Sequence, residues 1–342
     1  HFAALKSVSE SFEKPLEYYE NNVGGTLTLL RVMALQKVPY LVFSSSATVY
    51  GEQEVQPVHE SAALRPCSPY GRTKVTCEEM IEAAARANPD FSAVILRYFN
   101  PVGAHESGRI GEAPQGEPSN LLPRLTRAAA GSLPPLVIAG DDFPTPDGTG
   151  LRDYVHVCDI AQGHVAALEA LERRPSGVLT CNLGAGRPVS VRELIDTFER
   201  ATGVSVPCRV GPRREGDLAA CWADITRARQ ELGWSPLRTM EEACRDAWNW
   251  QSQNPFGYDG EDGIFQGVTQ HHRDLSRALA FGQRDVVLPQ LLLQARFDKA
   301  GNHGNRPQGE RHAGHDKVFP ARKAGFLAAL CFFLMLPTSA TP

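Results

Sequence analysis

Two short apolar runs constrain the fold of this chain more than any other feature. The first lies in the segment from Tyr40 to Gly51 and ends abruptly in hydroxyl side chains, and the second extends from Phe91 to Phe99. Apolar residues recur at helical intervals between them, and a further helix is predicted from Leu16 to Gln36. Apolar strands that alternate with helices are typical of a parallel sheet buried on both faces. The sequence therefore predicts an α/β fold that binds ligands beyond the carboxyl ends of its strands.

The segment SPYGRTK, residues 68 to 74, is predicted to begin the helix between the two strands. Ser68 is a favoured N-cap, and Pro69 suits the first helical position because its missing N–H has no partner there. Tyr70 and Lys74 are four residues apart, so their side chains lie on one face of the helix. An ammonium near a phenol lowers the pKa of the phenol, which can then remove a proton from a substrate hydroxyl. Taken alone, the pair also fits an ordinary surface contact between helical neighbours.

Three serines, Ser44, Ser45 and Ser46, close the first predicted strand. They lie at the edge where open α/β sheets bind ligands, so their hydroxyl groups are candidates for contact with a substrate or cofactor. The competing interpretation is that they only lead the chain from the strand into a turn.

Composition narrows the class of function. The chain has 342 residues, of which 42% are hydrophobic, enough for about two domains with substantial cores. The formal net charge is −4 and no basic stripe stands out, which argues against a nucleic-acid partner. The eight cysteines include no close pair at zinc-ligand spacing. We therefore expect reduced thiols, no metal site and a cytoplasmic protein.

Several longer runs, taken in order along the chain, carry a resemblance. They are HFAALKSVSES, KPLEYYENNVGGT, SSSATVYG, SPYGRTK, LRYFNPVGAH, DGTGLRDYVHV, RREGD and AWNWQSQNP. From His1 to about Gly257 the chain resembles the UDP-glucose (UDP-galactose) 4-epimerases of the extended short-chain dehydrogenase/reductase family. The resemblance implies a doubly wound, Rossmann-like parallel sheet that binds NAD and a smaller α/β domain that binds a UDP-hexose. It also implies a homodimer.

The resemblance assigns roles to individual residues. Tyr70 would be the catalytic base, Lys74 would hold the nicotinamide ribose and lower the pKa of the phenol, and Ser46 would bond the reacting sugar oxygen. The NAD site would comprise Phe2, Ala3, Lys6, Asn21, Ser44, Tyr70, Lys74 and Phe99. The UDP-sugar site would comprise Ser46, Asn100, Asn120, Leu121, Arg152, Arg214, Asp217 and Cys221. The two arginines would contact the diphosphate, for which a planar guanidinium is well suited.

The implied reaction is a reversible epimerisation at C4 of the sugar. Tyr70 would take the proton of the 4-hydroxyl while NAD accepts the hydride, and the hydride would return to the other face of the 4-keto sugar. The small Cys221 would leave room for a 2-acetamido group, so N-acetylated UDP-sugars are expected as substrates too. Ser119 stands where the family usually has an asparagine, and Ala139 stands where many members have an aromatic residue. The contacts with uridine are therefore expected to be weaker or differently arranged.

Three alternatives to epimerisation stay open at this point. Dehydratases of the same superfamily carry an acidic pair after the strand-end hydroxyl, whereas Ala47 and Thr48 follow Ser46 here, so dehydration is disfavoured. A nucleotide-sugar decarboxylase uses the same scaffold. A fragment without catalytic activity could bind only a UDP-sugar or a partner protein.

The ends of the chain match the family less well. No glycine-rich turn with its following helix precedes the first strand, so we expect a chain that is N-terminally truncated relative to the family and holds NAD poorly. The predicted parts are a truncated NAD-binding domain (1–101), a UDP-sugar-binding region (102–259) and an unmatched, largely disordered tail (260–342). The apolar stretch from Ala324 to Leu336 is shorter than the roughly twenty residues that span a bilayer, so no membrane partner is expected.

Overall fold

The computed structural model describes residues 1–114, 116–173, 176–214 and 217–259, and the tail predicted for 260–342 lies outside these ranges. Its helices are α1 (Val8–Glu13), α2 (Pro15–Tyr18), α3 (Gly25–Leu35), α4 (Pro69–Ala87), α5 (Leu121–Ala129), α6 (Val157–Arg173), α7 (Val191–Thr202), α8 (Thr226–Leu232) and α9 (Met240–Gln253). A π-helical segment, Tyr19–Gly24, joins α2 to α3, and 3-10 turns occupy Ala47–Val49 and Gly257–Asp259. None of the described helices combines the length and apolar character needed to cross a bilayer.

Within the described ranges, ten short strands lie between these helices. They are β1 (Tyr40–Ser46), β2 (Ser92–Tyr98), β3 (Asn100–Val102), β4 (Leu136–Ala139), β5 (Leu151–Arg152), β6 (Tyr154–His156), β7 (Gly177–Leu183), β8 (Val189–Ser190), β9 (Cys208–Gly211) and β10 (Ala220–Cys221). The longest three form a parallel sheet in the order β1-β2-β7. The predicted α/β fold with a parallel sheet is confirmed, and both apolar runs form adjacent strands of it.

Apolar residues on both faces explain why this sheet is covered on both sides. Successive side chains of a strand point to opposite faces. Val42 of β1 packs in one buried cluster with Ile160 of α6. Its neighbour Phe43 packs in another with Ile81 of α4. Helix α4 therefore covers one face of the sheet and α6 covers the other.

The start of α4 follows from its first residues. The Ser68 hydroxyl accepts a hydrogen bond from the Gly71 N–H at 3.1 Å, and Pro69 occupies the first turn. The predicted N-cap is confirmed. Because β1 ends at Ser46 and α4 begins at Pro69 over the same edge of the sheet, the first turn of the helix lies against the end of the strand.

The predicted helix from Leu16 to Gln36 is also found, but its middle turn is π-helical. Within that turn the buried Asn22 side chain accepts the Leu5 N–H at 2.7 Å and donates to the Leu5 carbonyl at 3.0 Å. It also donates to the Thr73 hydroxyl of α4 at 3.2 Å. Hydrophobic periodicity does not report a single wide turn, which is why the sequence predicted a uniform helix.

The remaining strands form three small sheets beside the main one. β3 pairs with β6, β4 pairs with β9, and β5 lies between β8 and β10. Side chains cap two of the helices around them: Thr239 and Glu242 form a complete capping box at the start of α9, and the Ser190 hydroxyl accepts the Glu193 N–H at the start of α7. The chain leaves the main sheet after Tyr98 and returns to it at Gly177, so residues on both sides of position 101 build that sheet. The division into 1–101 and 102–259 stays a prediction.

A buried ion pair ties α4 to the main sheet. Arg97 of β2 donates to both carboxylate oxygens of Glu78 in α4, at 2.6 and 3.1 Å. The Ser45 hydroxyl of β1 donates to the same carboxylate, and Arg97 also donates to the Tyr50 hydroxyl at 3.0 Å. Both charged side chains are more than nine-tenths buried. The pair therefore fixes the position of the helix along the strands, with its charges satisfied.

Loss of this carboxylate should destabilise the fold strongly. We expect Glu78→Ala to lower the free energy of unfolding by about 3–5 kcal/mol, because it leaves the Arg97 guanidinium buried without its counter-charge. Glu79→Ala, at the exposed neighbouring position, should change it by less than about 0.5 kcal/mol. Urea unfolding of both variants measures the difference, and an equal small effect would contradict a stabilising role for the buried pair.

Candidate active site

Three of the predicted site residues meet where β1 ends and α4 begins. The Lys74 amine donates to the Ser44 carbonyl at 2.8 Å, and Tyr70 and Lys74 are both buried. The Lys74 Nζ lies 5.8 Å from the centroid of the Tyr70 ring. The Ser46 hydroxyl oxygen accepts hydrogen bonds from the Thr48 N–H at 3.2 Å and the Thr48 hydroxyl at 3.0 Å. The phenol, the amine and the serine hydroxyl thus share one end of the sheet.

Burial decides the protonation of the phenol and the amine. It raises the pKa of Tyr70 to about 12, although a hydrogen bond with Ser46 acts in the opposite direction. Burial lowers the pKa of Lys74 to about 8, against the attraction of Glu78. The pKa of the phenol therefore lies above its ordinary value, because the loss of hydration outweighs the hydrogen bond with Ser46. The expectation that Lys74 lowers this pKa stays a prediction. The ammonium directs its hydrogen bond at a backbone carbonyl.

A second polar pair behind Ser44 was missed by the sequence analysis. The Tyr98 hydroxyl is hydrogen-bonded to the Ser44 hydroxyl at 2.7 Å and to Nε2 of His164 at 2.5 Å. Burial lowers the pKa of His164 to about 3, so its imidazole is neutral. Nδ1 of that ring donates to the Ile160 carbonyl at 2.9 Å, which fixes the tautomer. No local sequence signal indicates these contacts, because Ser44, Tyr98 and His164 belong to β1, β2 and α6.

The predicted cofactor residues surround this centre. His1 runs beside β1, since the Ser44 N–H donates to the His1 carbonyl at 3.3 Å, and this places Phe2 and Ala3 at the strand end. The Phe2 ring packs 4.8 Å from the ring of His164. Phe99 is buried where β2 ends, 6.4 Å from the Tyr50 ring.

Two further cofactor residues lie at the surface. The Asn21 amide is exposed and donates to the side chain of Asn22 at 2.9 Å. The Lys6 amine is 3.4 Å from the Glu112 carboxylate. Glu112, which the sequence analysis did not select, also accepts a hydrogen bond from the Asn120 amide at 2.7 Å. It therefore joins a predicted NAD residue to a predicted substrate residue.

The predicted substrate residues fall into two groups. Arg152 and Cys221 are direct neighbours in the β5–β10 pair, and Arg152 lies 3.5 Å from Asp217. Arg152 also donates to the Leu218 carbonyl at 2.7 Å, so its guanidinium is held against this strand segment. Burial raises the pKa of the Cys221 thiol to about 11, so the thiol is uncharged at neutral pH.

The second group lies at the starts of β3 and α5. Asn100 begins β3 with an exposed side chain, Asn120 is the N-cap residue of α5, and Leu121 is its first residue. Arg214 is exposed, and its carbonyl accepts the Asp217 N–H at 3.3 Å. The roles of all these residues in binding stay predictions.

Comparison with known proteins identifies the family. The model of the NAD dependent epimerase/dehydratase family matches residues 1–184. The UDP-glucose 4-epimerase of Erwinia amylovora is 53% identical over 258 residues, which are 75% of this chain and 76% of the relative. This chain belongs to the NAD dependent epimerase/dehydratase family. The family resemblance expected from the sequence runs is thereby confirmed.

Other members of the family extend the comparison to animals and to solved structures. The UDP-glucose 4-epimerase of Mus musculus is 49% identical over 262 residues, 76% of this chain and 75% of the relative. A UDP-glucose 4-epimerase from Stenotrophomonas maltophila, solved with NAD and a formylated UDP-arabinopyranose, has a TM-score of 0.73 and 50% identity, covering 75% of this chain and 76% of that one. A UDP-glucose 4-epimerase from Bifidobacterium longum, solved with NAD+ and UDP, has a TM-score of 0.72 and 47% identity, covering 75% of this chain and 77% of that one.

The depressed pKa of Lys74 predicts a pH-dependent stability. Below pH 8 the buried ammonium opposes folding, and this cost falls as pH rises from about 8, the folded pKa, toward the ordinary 10.5. Lys74→Met removes the charge at every pH. Its free energy of unfolding relative to the parent should therefore be higher at pH 7 than at pH 9.5, by on the order of 1 kcal/mol.

Urea unfolding at the two pH values measures this difference. The control is Lys14→Met, since Lys14 is exposed and its ammonium remains in water. A Lys74→Met effect that is the same at both pH values, as expected for Lys14→Met, would contradict the burial penalty.

Proposed function

We propose that this protein interconverts UDP-galactose and UDP-glucose through a 4-keto sugar, with NAD as the resident cofactor. The observation that carries the proposal is the meeting of Tyr70, Lys74 and Ser46 at the carboxyl end of β1 in a member of an epimerase family. The relatives at about half identity are themselves named UDP-glucose 4-epimerases. This supports epimerisation over the dehydratase, decarboxylase and binding-only alternatives.

The residues around the end of β1 fit the nicotinamide half of NAD. A lysine ammonium has three donors, and the Ser44 carbonyl takes one of those of Lys74, which leaves donors for ribose hydroxyls. Phe2 and Phe99 supply apolar surface, and Lys6 and Asn21 supply donors at the solvent side. When bound, NAD supplies a hydride acceptor and a positively charged ring.

Tyr70 is the proposed acid and base. Its phenolate takes the proton of the sugar 4-hydroxyl as the C4 hydride departs, and the phenol returns the proton when the hydride comes back. Ser46 donates a hydrogen bond to the same sugar oxygen as negative charge develops on it. The raised pKa of Tyr70 means that the phenol holds its proton until the bound ligands supply positive charge.

Removal of the phenolic hydroxyl tests this assignment. In the full-length protein, Tyr70→Phe should lower kcat for UDP-galactose by roughly 10²–10⁴-fold, as expected for loss of a general base. UDP affinity, measured by calorimetry, should be unchanged. Tyr18→Phe is the matched control, because Tyr18 is a buried neighbour of Tyr70 whose hydroxyl donates to Glu10. Turnover of Tyr70→Phe within a few-fold of the control would overturn the assignment.

The UDP moiety is proposed to bind along the β5–β10 pair. Arg152 and Arg214 supply positive charge for the diphosphate, and Asp217 is positioned to accept bonds from ribose hydroxyls. Asn100 at the start of β3 and Asn120 at the start of α5 are proposed to add amide groups. Leu121, which follows Asn120, packs partly into the core and fixes the start of α5.

Cys221 is proposed to set the range of sugars. It is buried in β10 directly beside Arg152, so in this arrangement a sugar attached to the diphosphate faces it. A tyrosine at this position would occupy space that a 2-acetamido group needs, whereas the thiol leaves that space open. Both UDP-galactose and UDP-N-acetylgalactosamine are therefore proposed substrates.

The substitution Cys221→Tyr tests the proposed pocket. It should abolish turnover of UDP-N-acetylgalactosamine while kcat/KM for UDP-galactose changes by less than about tenfold, because steric exclusion in a packed pocket is not relieved without strain. Cys221→Ala keeps the space open and should retain both activities. Equal loss of both activities in Cys221→Tyr would mean that the change only disturbs packing.

We also propose that the protein is located in the cytoplasm and forms a homodimer. Phe12 of α1 and Leu16 of α2 expose 59% and 81% of their surface, and Val8 exposes 41%. Large apolar side chains that are exposed close to one another are typical of surfaces that another protein covers. A second copy of this chain is the proposed occupant.

A further inference from the structure

A fully buried carboxylate lies next to the proposed diphosphate residue. Asp153 follows Arg152 in the chain, and its side chain accepts three backbone hydrogen bonds: from the Ala185 N–H at 2.5 Å, the Gly186 N–H at 3.0 Å and the Ala223 N–H at 3.0 Å. These donors belong to two separate segments, the loop after β7 and the segment after β10. One anion therefore joins three parts of the chain.

The loop after β7 is shaped to receive this anion. Gly186 has a φ of +75°, which residues other than glycine rarely adopt, and its N–H and that of Ala185 converge on Asp153. A Cβ at Gly184 would lie 2.4 Å from Oδ2 of Asp153, so the carboxylate approaches the backbone as closely as glycine permits. Successive N–H groups of this kind form anion-binding concavities, and here the anion is a side chain.

Asp153 is linked through the backbone to three residues that are proposed to contact the substrate. Arg152 precedes it, and the Asp153 carbonyl accepts the Asn100 N–H at 2.9 Å. Ala223, which donates to its carboxylate, follows Cys221 by two residues. By contrast, Tyr70, Lys74 and Ser46 lie on α4 and β1 and make no contact with Asp153 among the hydrogen bonds of the described residues.

We propose that Asp153 is a positioning residue for the UDP-sugar pocket, which sets substrate affinity through Arg152, Asn100 and Cys221. The proposal rests on the proposed function. Neutralising the carboxylate removes the charge that three N–H groups bind and places an amide N–H₂ against at least one backbone donor. The segments that carry the substrate contacts then separate, while the phenol, the amine and the serine keep their places.

Asp153→Asn tests this, with Asp159→Asn as the matched control. Asp159 is equally buried and accepts the Leu237 and Arg238 N–H groups at 3.0 and 2.9 Å. It also accepts a hydrogen bond from the Arg238 guanidinium at 2.6 Å. It therefore joins distant segments as Asp153 does, but none of its partners is a proposed substrate contact. Titration calorimetry with UDP gives both the dissociation constant and the binding-competent fraction. We expect about tenfold or weaker UDP binding for Asp153→Asn, from the loss of charge-assisted bonds, and a change within about twofold for Asp159→Asn.

A second variant and steady-state kinetics complete the experiment. Gly184→Ala leaves Asp153 charged but displaces its carboxylate, and it should weaken UDP binding in the same way. In both variants KM for UDP-galactose should rise while kcat stays within about threefold of the parent, a split that general destabilisation does not produce. UDP affinity equal to the parent in both variants, or a fall in kcat at unchanged KM, would overturn the proposal for Asp153 alone. Failure of the parent protein to bind UDP would overturn the proposed function as well.

Discussion

The contact on which the site depends is the hydrogen bond from the buried Lys74 amine to the Ser44 carbonyl. It holds the first turn of α4 against the end of β1, and so brings Tyr70 to Ser46. A buried ammonium is costly, and the depressed pKa of Lys74 expresses that cost. The fold tolerates it because the same helix is fixed about one turn further along its axis, at Glu78, by other interactions.

Those interactions are made by buried polar side chains that each bond two or more segments of the chain, and we call them polar clamps. The Glu78–Arg97 pair sets the position of α4 along β1 and β2, and Asn22 ties the π-helical turn to Leu5 and to α4. Asp153 does the same for the segments that carry the proposed UDP contacts. Each clamp satisfies its buried groups almost completely, as a polar network in a low-dielectric interior requires. The apolar strands bury hydrophobic surface, and the clamps fix the helices and loops relative to those strands.

Much of this arrangement could be predicted from the sequence. Continuous apolar runs predicted the parallel strands, Ser68-Pro69 predicted the start of α4, and the spacing of Tyr70 and Lys74 predicted their common face. These signals are local, so a single sequence contains them. The sequence segments that resemble the epimerases added the predicted UDP-sugar residues, which hydrophobic periodicity could not have identified.

The remainder depends on contacts between distant segments. The sequence analysis gave Asp153 no role, because nothing near it in sequence reveals the N–H groups of Ala185 and Ala223. The effect of burial on the pKa of Tyr70 could not be predicted, because spacing reports which groups are neighbours but not how far they are from water. Tyr98 and His164 were missed for a similar reason, since their hydrogen bond joins a strand to a helix on the far face of the sheet.

In the proposed reaction, the C4 hydride of the sugar leaves and returns within one binding event. The most direct measurement is conversion of UDP-galactose carrying deuterium at C4 by the full-length protein in ordinary water, with the product analysed by NMR. UDP-glucose should retain the deuterium at C4, because a hydride passed to and from bound NAD would not exchange with solvent. Product with hydrogen at C4, or no product while UDP still binds, would contradict it.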